Sequence, residues 1–327
     1  MKKQLSYFVF LLALLSGSSL HAKVNNYVGA FANIGEWSLL PAKSDYTTSL
    51  GVAGGAGFLY ELQAGQNTGK AKFLFDVGVG LQGGMTSFMQ STNSTIPPLK
   101  LKDTDGDLLD YIYNVNNRHD QYSDFALQIP LMIGFQYNRF YALAGVKIHA
   151  HVLTKAHTTA SLTTYGHYEA FEFEDLYNDP ANQFFTDYPL SKSTKTTFKP
   201  EVAISLEVGG RLGLVTDAVG FDVPKRKIEY RIAGFFDYGL NDIHSAENLQ
   251  SIITPKEYSS TGMVESVEVN DIMRTENFAQ KVNSFTVGLK LTILFQLPEE
   301  RKCVICTDGY RSLVRTYSGG RGMKYEE

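Results

Sequence analysis

The feature that most constrains the fold is an alternation of apolar and polar residues in segments of about ten residues. In the last segment, residues 285–297, apolar side chains occupy every second position, and Leu294 is the one apolar residue on the polar face. Side chains two positions apart point to the same face of a β-strand, so this segment presents one continuous apolar face. A half-buried strand of a water-soluble protein rarely carries so many large apolar residues in succession.

The same pattern recurs upstream. Two N-terminal segments, residues 26–39 and 48–63, are rich in Gly and Ala and alternate less clearly. The clearer segments are residues 72–82, 125–137, 142–152, 201–214 and 229–240. The total is eight, an even number, which suits closure of an antiparallel bacterial barrel. We therefore predict an all-β fold: an eight-stranded antiparallel up-and-down transmembrane β-barrel with long extracellular loops and short periplasmic turns.

The lengths of the connections support this prediction independently. The short links are residues 64–71, 138–139 and 216–226, whereas the long links are residues 89–122, 156–199 and 243–281. The first link, between the two N-terminal segments, is an exception, because it is short although it belongs to the long-loop side. Long loops on one side and short turns on the other are typical of outer-membrane barrels, with both termini on the periplasmic, turn side. A lipocalin-like soluble barrel would instead turn its apolar face inward around a ligand.

The N-terminus predicts export. Lys2 and Lys3 precede an apolar run at residues 7–15, and small or polar residues follow as far as Ala22. This pattern is that of a cleaved secretory signal peptide, and its apolar run is too short for a membrane-spanning helix. We predict a signal peptide at residues 1–22, a barrel at 23–297 and a periplasmic tail at 298–327, in the bacterial outer membrane.

Composition excludes several other classes of protein. The net charge is −4 and no basic stripe is present, so nothing indicates nucleic-acid binding. The two cysteines, Cys303 and Cys306, lie outside every segment, so no disulfide framework holds the main domain. Strand pairing and the bilayer must therefore stabilise it.

Charged residues fall on the polar, lumen-facing side of the segments. An eight-stranded barrel is just wide enough inside for side chains to fill it, and unpaired charges there would be destabilising. The charges either line an ion path or form a structural network of ion pairs that fills the lumen, and we favour the structural network. The predicted lumen network comprises Lys147, Glu201, Glu207, Arg211, Glu229, Arg231, Asp237 and Lys290.

Two groups of residues invite a metal hypothesis. Asp103, Asp105, Asp107 and Asp110 form an acidic cluster, but the sixth and twelfth places of an EF-hand loop would hold Leu108 and Asn114 instead of Gly and Glu. A solvated acidic turn is the better interpretation, which leaves a weak calcium candidate.

His149 and His151 share one strand face and could ligate a metal, but membership of the polar lumen network is the simpler interpretation. We therefore expect no cofactor and no metal. The chain also lacks the Gly-x-Ser-x-Gly, P-loop and His-Glu-x-x-His motifs, so we predict that it is not an enzyme.

The tail changes character after Leu297, where the alternation stops. Cys303 and Cys306 form a Cys-x-x-Cys motif, which indicates either a redox or partner-binding element or a local disulfide in an extension. A thioredoxin-like role requires a βαβ context that so short a tail cannot supply.

Several motifs resemble those of the Bacteroidetes-type outer-membrane β-barrel family, described as PorT-like or as related to the OmpA membrane domain. They are Asp-Thr-Asp-Gly-Asp at 103–107, Ile-Pro-Leu-Met-Ile at 129–133, Phe-Phe-Asp-Tyr-Gly-Leu-Asn at 235–241 and the terminal-strand motif at 288–295. The resemblance covers residues 24–297 and implies recognition by the barrel assembly machinery. Unlike in OmpA, we expect no peptidoglycan-binding domain after the barrel.

Three functions follow as hypotheses. The first is a non-enzymatic outer-membrane barrel with a filled lumen and a structural, surface-display or interaction role through its long loops. The second, suggested by the resemblance, is a PorT-like accessory subunit of an envelope export or uptake machine. The third is a small-solute channel, which the small number of strands disfavours. The expected partners are outer-membrane lipid, the barrel assembly machinery and other envelope proteins.

Overall fold

The computed structural model describes residues 23–42, 47–65, 71–90, 98–102, 106–168, 184–217, 226–245, 249–257, 264–275, 278 and 281–298. The predicted signal peptide, Asp103, Asp105, Cys303, Cys306 and the rest of the tail lie outside them. A short 3-10 helix covers Ile272–Arg274. The strands of the described part are β1 (Lys23–Pro41), β2 (Thr47–Gly65), β3 (Ala71–Gln90), β4 (Leu99–Lys102), β5 (Leu108–Tyr137), β6 (Phe140–His167), β7 (Tyr188–Thr196), β8 (Glu201–Asp217), β9 (Arg226–Gly239), β10 (Ile253–Glu257), β11 (Val264–Val269) and β12 (Val282–Gln296).

Eight of these strands form a closed ring. In order around the barrel they are β1, β2, β3, β5, β6, β8, β9 and β12, each antiparallel to its neighbours. Strand β12 returns to β1, and they pair from Tyr27 opposite Gln296 to Pro41 opposite Val282. The predicted eight-stranded antiparallel barrel is therefore confirmed.

Three short connections, residues 66–70, 138–139 and 218–225, lie at one end of the barrel, which we call the turn end; the β1–β2 connection, residues 42–46, is also short but lies at the other end. Strands β5 and β6 are joined by Asn138 and Arg139 alone, and Asn138 has a φ of 56°. Tight hairpins need such a left-handed conformation, which Asn adopts more readily than most residues. Strand β1 begins and β12 ends at this end of the barrel; the opposite end is the loop end.

The outer surface of the barrel is an apolar band. On β12 the side chains of Val287, Leu289, Leu291, Ile293 and Phe295 all point outward and are exposed. A tilted transmembrane strand needs about 9–11 residues, which the outward-facing series on this strand provides. The apolar residues of the alternating pattern therefore face the lipid, and the polar residues face the lumen. In the described part of the chain, no helix has the length and apolar character needed to cross a membrane.

The long connections differ from the prediction, because much of two of them is strand. Strand β5 has 30 residues and β6 has 28, and they stay paired from Tyr137 opposite Phe140 to Asp110 opposite His167. Each is far longer than the bilayer requires. The prediction of loops at residues 89–122 and 156–199 is therefore wrong in part: both strands continue past the apolar band, and Asp110 lies in a strand.

The extended strands form a folded unit, which we call the platform. It consists of β4, β7, β10, β11, residues 108–117 of β5 and residues 159–167 of β6. Strand β4 pairs with β5 and β7 with β6, while β10 and β11 form a separate hairpin. The platform has its own apolar core, made by Leu109, Tyr111, Tyr113, Val115, Ala160, Leu162, Tyr168, Phe184, Leu190, Ile252, Ile253 and Val269.

Two register shifts separate the platform from the barrel. One lies between Asn116 and His119 of β5, where Asn117 has a φ of 50°, and the other lies beside Phe125 and Ala126. Such a bulge adds one residue to a strand, so inward positions change from even to odd numbers or the reverse. In β5 the buried positions are even-numbered in the barrel and odd-numbered in the platform.

Candidate functional site

The turn end of the lumen is closed by an arginine between two glutamates. Arg231 donates from Nη1 and Nη2 to both carboxylate oxygens of Glu61, at 2.5 and 2.8 Å, and from Nε to Glu229 at 2.6 Å. Its guanidinium also lies 4.8 Å from the ring centroid of Tyr141. All three charged side chains are buried, and the forked geometry is the strongest kind of arginine–carboxylate contact.

The middle of the lumen holds two lysine–carboxylate pairs. Lys147 Nζ lies 2.8 Å from Asp237 Oδ2, and Lys290 Nζ lies 2.7 Å from Glu207 Oε2. The second oxygen of each carboxylate accepts a hydroxyl hydrogen bond, from Ser205 to Asp237 at 2.6 Å and from Tyr141 to Glu207 at 2.7 Å. Buried ion pairs are tolerated when their remaining hydrogen-bonding capacity is also satisfied, as it is for these carboxylates.

Six of the eight predicted lumen residues form the buried pairs described above, and the other two have different surroundings. Lys147, Glu207, Glu229, Arg231, Asp237 and Lys290 make the buried pairs just described. Arg211 is partly exposed near the turn end, 4.0 Å from Glu229, and Glu201 pairs with a histidine. Glu61 is a buried lumen residue outside the predicted network, since it lies in the weakly alternating second segment; the spacing of Glu61 and Gln63, two positions apart, is the signal that could have identified it.

The two neighbouring histidines lie closer to the loop end. His149 Nδ1 is 3.1 Å from Glu201 Oε2, and His151 Nδ1 is 2.7 Å from Asp124 Oδ2. Each carboxylate accepts one further hydrogen bond, from Ser284 to Glu201 at 2.5 Å and from Thr154 to Asp124 at 2.7 Å. The histidines belong to the polar lumen, as the simpler interpretation of the sequence predicts.

A small cavity separates these histidines from the far wall of the barrel. Its volume is about 20 Å³, which is room for one water-sized particle. We call it the histidine cavity, and its lining residues are Trp37, Ala53, Gln82, Gly84, Asp124, Ala126, His149, His151, Glu201, Ser284 and Thr286.

An apolar cluster, which we call the plug, fills the lumen on the loop side of this cavity. Ile272 and Met273 of the 3-10 helix pack into it, and the rings of Phe88 and Tyr122 meet edge to face at 5.6 Å between centroids. The plug consists of Trp37, Leu39, Ala53, Phe88, Tyr122, Ala156, Phe198, Ile243, Ile272, Met273, Phe278 and Val282.

A polar layer joins the plug to the platform. Arg118 pairs with Asp120 at 2.7 Å and also donates to the backbone carbonyl of Asn270, which links β5 to the segment after β11. Lys192 of β7 lies 2.9 Å from Asn270 Oδ1 and 2.8 Å from Glu268 Oε2. These contacts fasten the β10–β11 hairpin across the barrel mouth.

Asp271 lies next to this layer, is buried, and has a raised pKa. Burial and the neighbouring Asp120 carboxylate raise the pKa of Asp271 to about 6, against the opposing effects of Arg274, Arg118 and a hydrogen bond from Tyr122. The Tyr122 hydroxyl lies 3.3 Å from Oδ1, whereas Oδ2 has no partner. A protonated side chain suits this environment because an ionised carboxylate would be incompletely satisfied.

The acidic cluster proposed for calcium is only partly described. Asp107 is exposed, and Asp110 lies 3.7 Å from Lys100 of β4, while Asp103 and Asp105 are outside the described residues. Among the residues that the structure describes, no group of three or more His, Cys, Asp and Glu is arranged to hold a metal.

Comparison with known proteins gives little direct guidance. No family model matches the chain, and no curated protein matches it. The crystal structure of Neisserial surface protein A is similar over 83% of this chain and 98% of that chain, with 9% identity and a TM-score of 0.22. The P. putida toluene transporter TodX is similar over 84% of this chain and 90% of that chain, with 6% identity and a TM-score of 0.12. Both scores are low, so the barrel assignment depends on the strand pairing and the apolar band.

Proposed function

We propose that this chain is a non-enzymatic, non-conducting barrel of the bacterial outer membrane that acts by presenting its platform to a protein partner. The observation that carries the proposal is the contrast between a filled lumen and a folded unit with its own core beyond the apolar band. Strands longer than the bilayer requires have no use in anchoring the barrel.

Three successive layers support a closed lumen. The Arg231 cluster fills the turn end, the two lysine pairs and the histidines cross the middle, and the plug fills the loop side. An eight-stranded barrel has little interior width beyond that needed for side chains. This arrangement opposes the small-solute channel, which was the third hypothesis.

The orientation follows from the usual arrangement of outer-membrane barrels, in which short turns and both termini face the periplasm and long connections face outward. We therefore place the platform on the cell surface and the tail after Leu297 in the periplasm. A role as a PorT-like accessory subunit would agree with the same barrel but would require partners inside the envelope.

Conductance tests the closed lumen. Purified full-length protein in planar lipid bilayers should produce no stepwise ionic current, while a porin added to the same bilayers serves as the positive control. Sustained, reproducible channel steps that scale with the amount of this protein would contradict the proposal.

Removal of the platform tests the interaction role. We would replace residues 91–117, 157–193 and 251–269 by short Gly/Asn turns, since the strands flanking the first two deletions are already paired at the cut points. After cross-linking in native envelopes, the full-length protein should retain a defined partner that the barrel-only variant loses. Heat-dependent migration on SDS gels checks that the variant still forms a barrel. Equal recovery of partners with both proteins would instead favour an accessory role carried by the barrel or the tail.

A further inference from the structure

The histidine cavity has a feature that the closed-lumen proposal does not explain. The rings of His149 and His151 use Nδ1 to contact a carboxylate, and in both residues Nε2 is buried without a hydrogen-bond partner. Gln82 of β3, which is separated from β6 by β5 alone, also has a buried side-chain oxygen without a partner. All three residues line the same cavity. Buried polar atoms are normally satisfied, so three unsatisfied atoms around one small space require an explanation.

The contacts of the two histidines define which nitrogen is free. A carboxylate accepts a hydrogen bond from Nδ1–H, which holds the neutral ring in the tautomer that carries its lone pair on Nε2. This carboxylate–histidine arrangement is the one that protein metal sites use to orient an imidazole ligand and to make it more basic. Here it occurs twice, with Glu201 behind His149 and Asp124 behind His151.

We propose that the histidine cavity binds one transition-metal ion that prefers imidazole, Cu²⁺ or Zn²⁺, through His149 Nε2, His151 Nε2 and Gln82 Oε1. Imidazole nitrogen suits both ions, and Cu²⁺ stands highest in the affinity order of the divalent first-row metals. The two carboxylates behind the rings supply negative charge to balance the ion in a buried position. The ion would thus have two imidazole nitrogens and one amide oxygen as its protein ligands. The two carboxylates would contact the histidines and not the ion.

The competing occupant is a water molecule, since the cavity is polar and has room for one. A water could donate to only two of these three acceptor atoms, and it would show no preference for copper or zinc. The two occupants therefore differ in a measurable way. Only a bound metal ion would be retained in the presence of a chelator, and only bound copper would give an electron paramagnetic resonance spectrum with nitrogen ligands.

The ion must enter during folding, because the plug closes the loop side and the ion pairs close the turn side. Tag-free full-length protein would be refolded into detergent with equimolar Cu²⁺, treated with a chelator and assayed for bound copper. We expect about one retained ion per barrel, with electron paramagnetic resonance hyperfine splitting from two imidazole nitrogens. Copper added after folding should be retained far less.

Substitutions identify the ligands. His149→Gln and His151→Gln should each lower copper retention at least about tenfold. His157→Gln is the matched control, because His157 lies on β6 but is exposed and contacts Ser193, and its retention should equal that of the wild type.

Two results would overturn the proposal: wild-type protein that loses its copper to the chelator, or a His149/His151 double variant that folds and retains as much copper as the wild type. If the variants do not fold, the wild-type spectrum decides the question, since two coordinated nitrogens support the site and fewer contradict it.

Discussion

Strands β5 and β6 each cross two environments, and their side-chain pattern reverses between them. In the barrel part of β6, Val146 and Ile148 face outward and are exposed, while Lys147 and His149 are buried in the lumen. In the platform part of the same strand, outward residues such as Ser161 and Thr163 are polar, while the inward Ala160 and Leu162 belong to the apolar core of the platform. The same β-sheet is thus apolar outside over one half and apolar inside over the other.

The reversal shows that the surroundings of a strand, rather than its backbone, decide which face is apolar. Lipid cannot hydrogen-bond, so the polar groups of the barrel must turn inward and pair with each other. Water solvates polar groups and expels apolar surface, so the platform buries its tyrosines and leucines. Consequently the turn end and the middle of the barrel interior depend on ion pairs, whereas the platform interior depends on apolar packing.

The largest test of this contrast removes a cation from each region. Arg231→Met leaves Glu61 and Glu229 buried without their partner, and we expect it to lower the free energy of unfolding by about 3–5 kcal/mol. Lys100→Met is the matched control, because its pair with Asp110 on the platform is largely solvated and should contribute only about 0–1 kcal/mol. Urea titration in phospholipid vesicles measures both. Equal losses would show that the lumen pairs are no more important than those of the platform.

A second test places a charge on the outward face of β6 in each region. Val146→Lys would face lipid and should lower stability by about 2–4 kcal/mol, whereas Thr159→Lys would face water and should change it by less than about 0.5 kcal/mol. The same urea titration applies. A tolerated Lys at position 146 would show that this face does not contact the bilayer.

The smallest expected effect is a pH dependence at the boundary between the two regions. The pKa of Asp271 in the folded protein, about 6, is above its ordinary value, so folding favours the protonated form. The resulting stabilisation is complete below about pH 4 and is lost as the pH rises through 6, by roughly 2–3 kcal/mol at most. Asp120, Arg118, Arg274 and Tyr122 are the titratable or charged groups that face it.

Asp271→Asn is the control for this prediction. The amide keeps an acceptor for the Tyr122 hydroxyl but cannot ionise, so the difference in stability between variant and wild type should grow between pH 4 and pH 7. Proteolysis of the β10–β11 segment as a function of pH measures the local effect. A constant difference across this range would mean that Asp271 is ionised throughout.

The barrel was predictable because six of its eight strands alternate with large residues over a full membrane span, and a period of two identifies a strand locally. The platform was not predicted, although Leu109, Tyr111, Tyr113 and Val115 alternate visibly. The bulge at Asn116 and Asn117 interrupts the period of two between this series and residues 125–137. The sequence pattern therefore does not show that the two series belong to one strand. On β6 the inward platform positions include Ala160, Thr164 and Gly166, which are too small or polar to indicate a core.

The charged lumen was predicted as a set of residues but not as a set of pairs. Periodicity places Arg231 and Glu229 on the inward face of one strand, which local sequence can do. It cannot show that Arg231 contacts Glu61, since 170 positions separate the two residues and only closure of the ring brings them together. The same applies to the histidine cavity, where Gln82 of β3 and the two histidines of β6 come from strands that do not pair with each other.

The sequence by itself determined the strand period, the number of barrel strands and the lipid-facing side of each strand, because all three depend on neighbours along the chain. Only the tertiary structure decided which charges pair, that the barrel mouth is filled by the plug, and that the supposed loops build a platform. These properties depend on contacts between distant segments, which form when the barrel closes and the shape and solvation of its two halves become fixed.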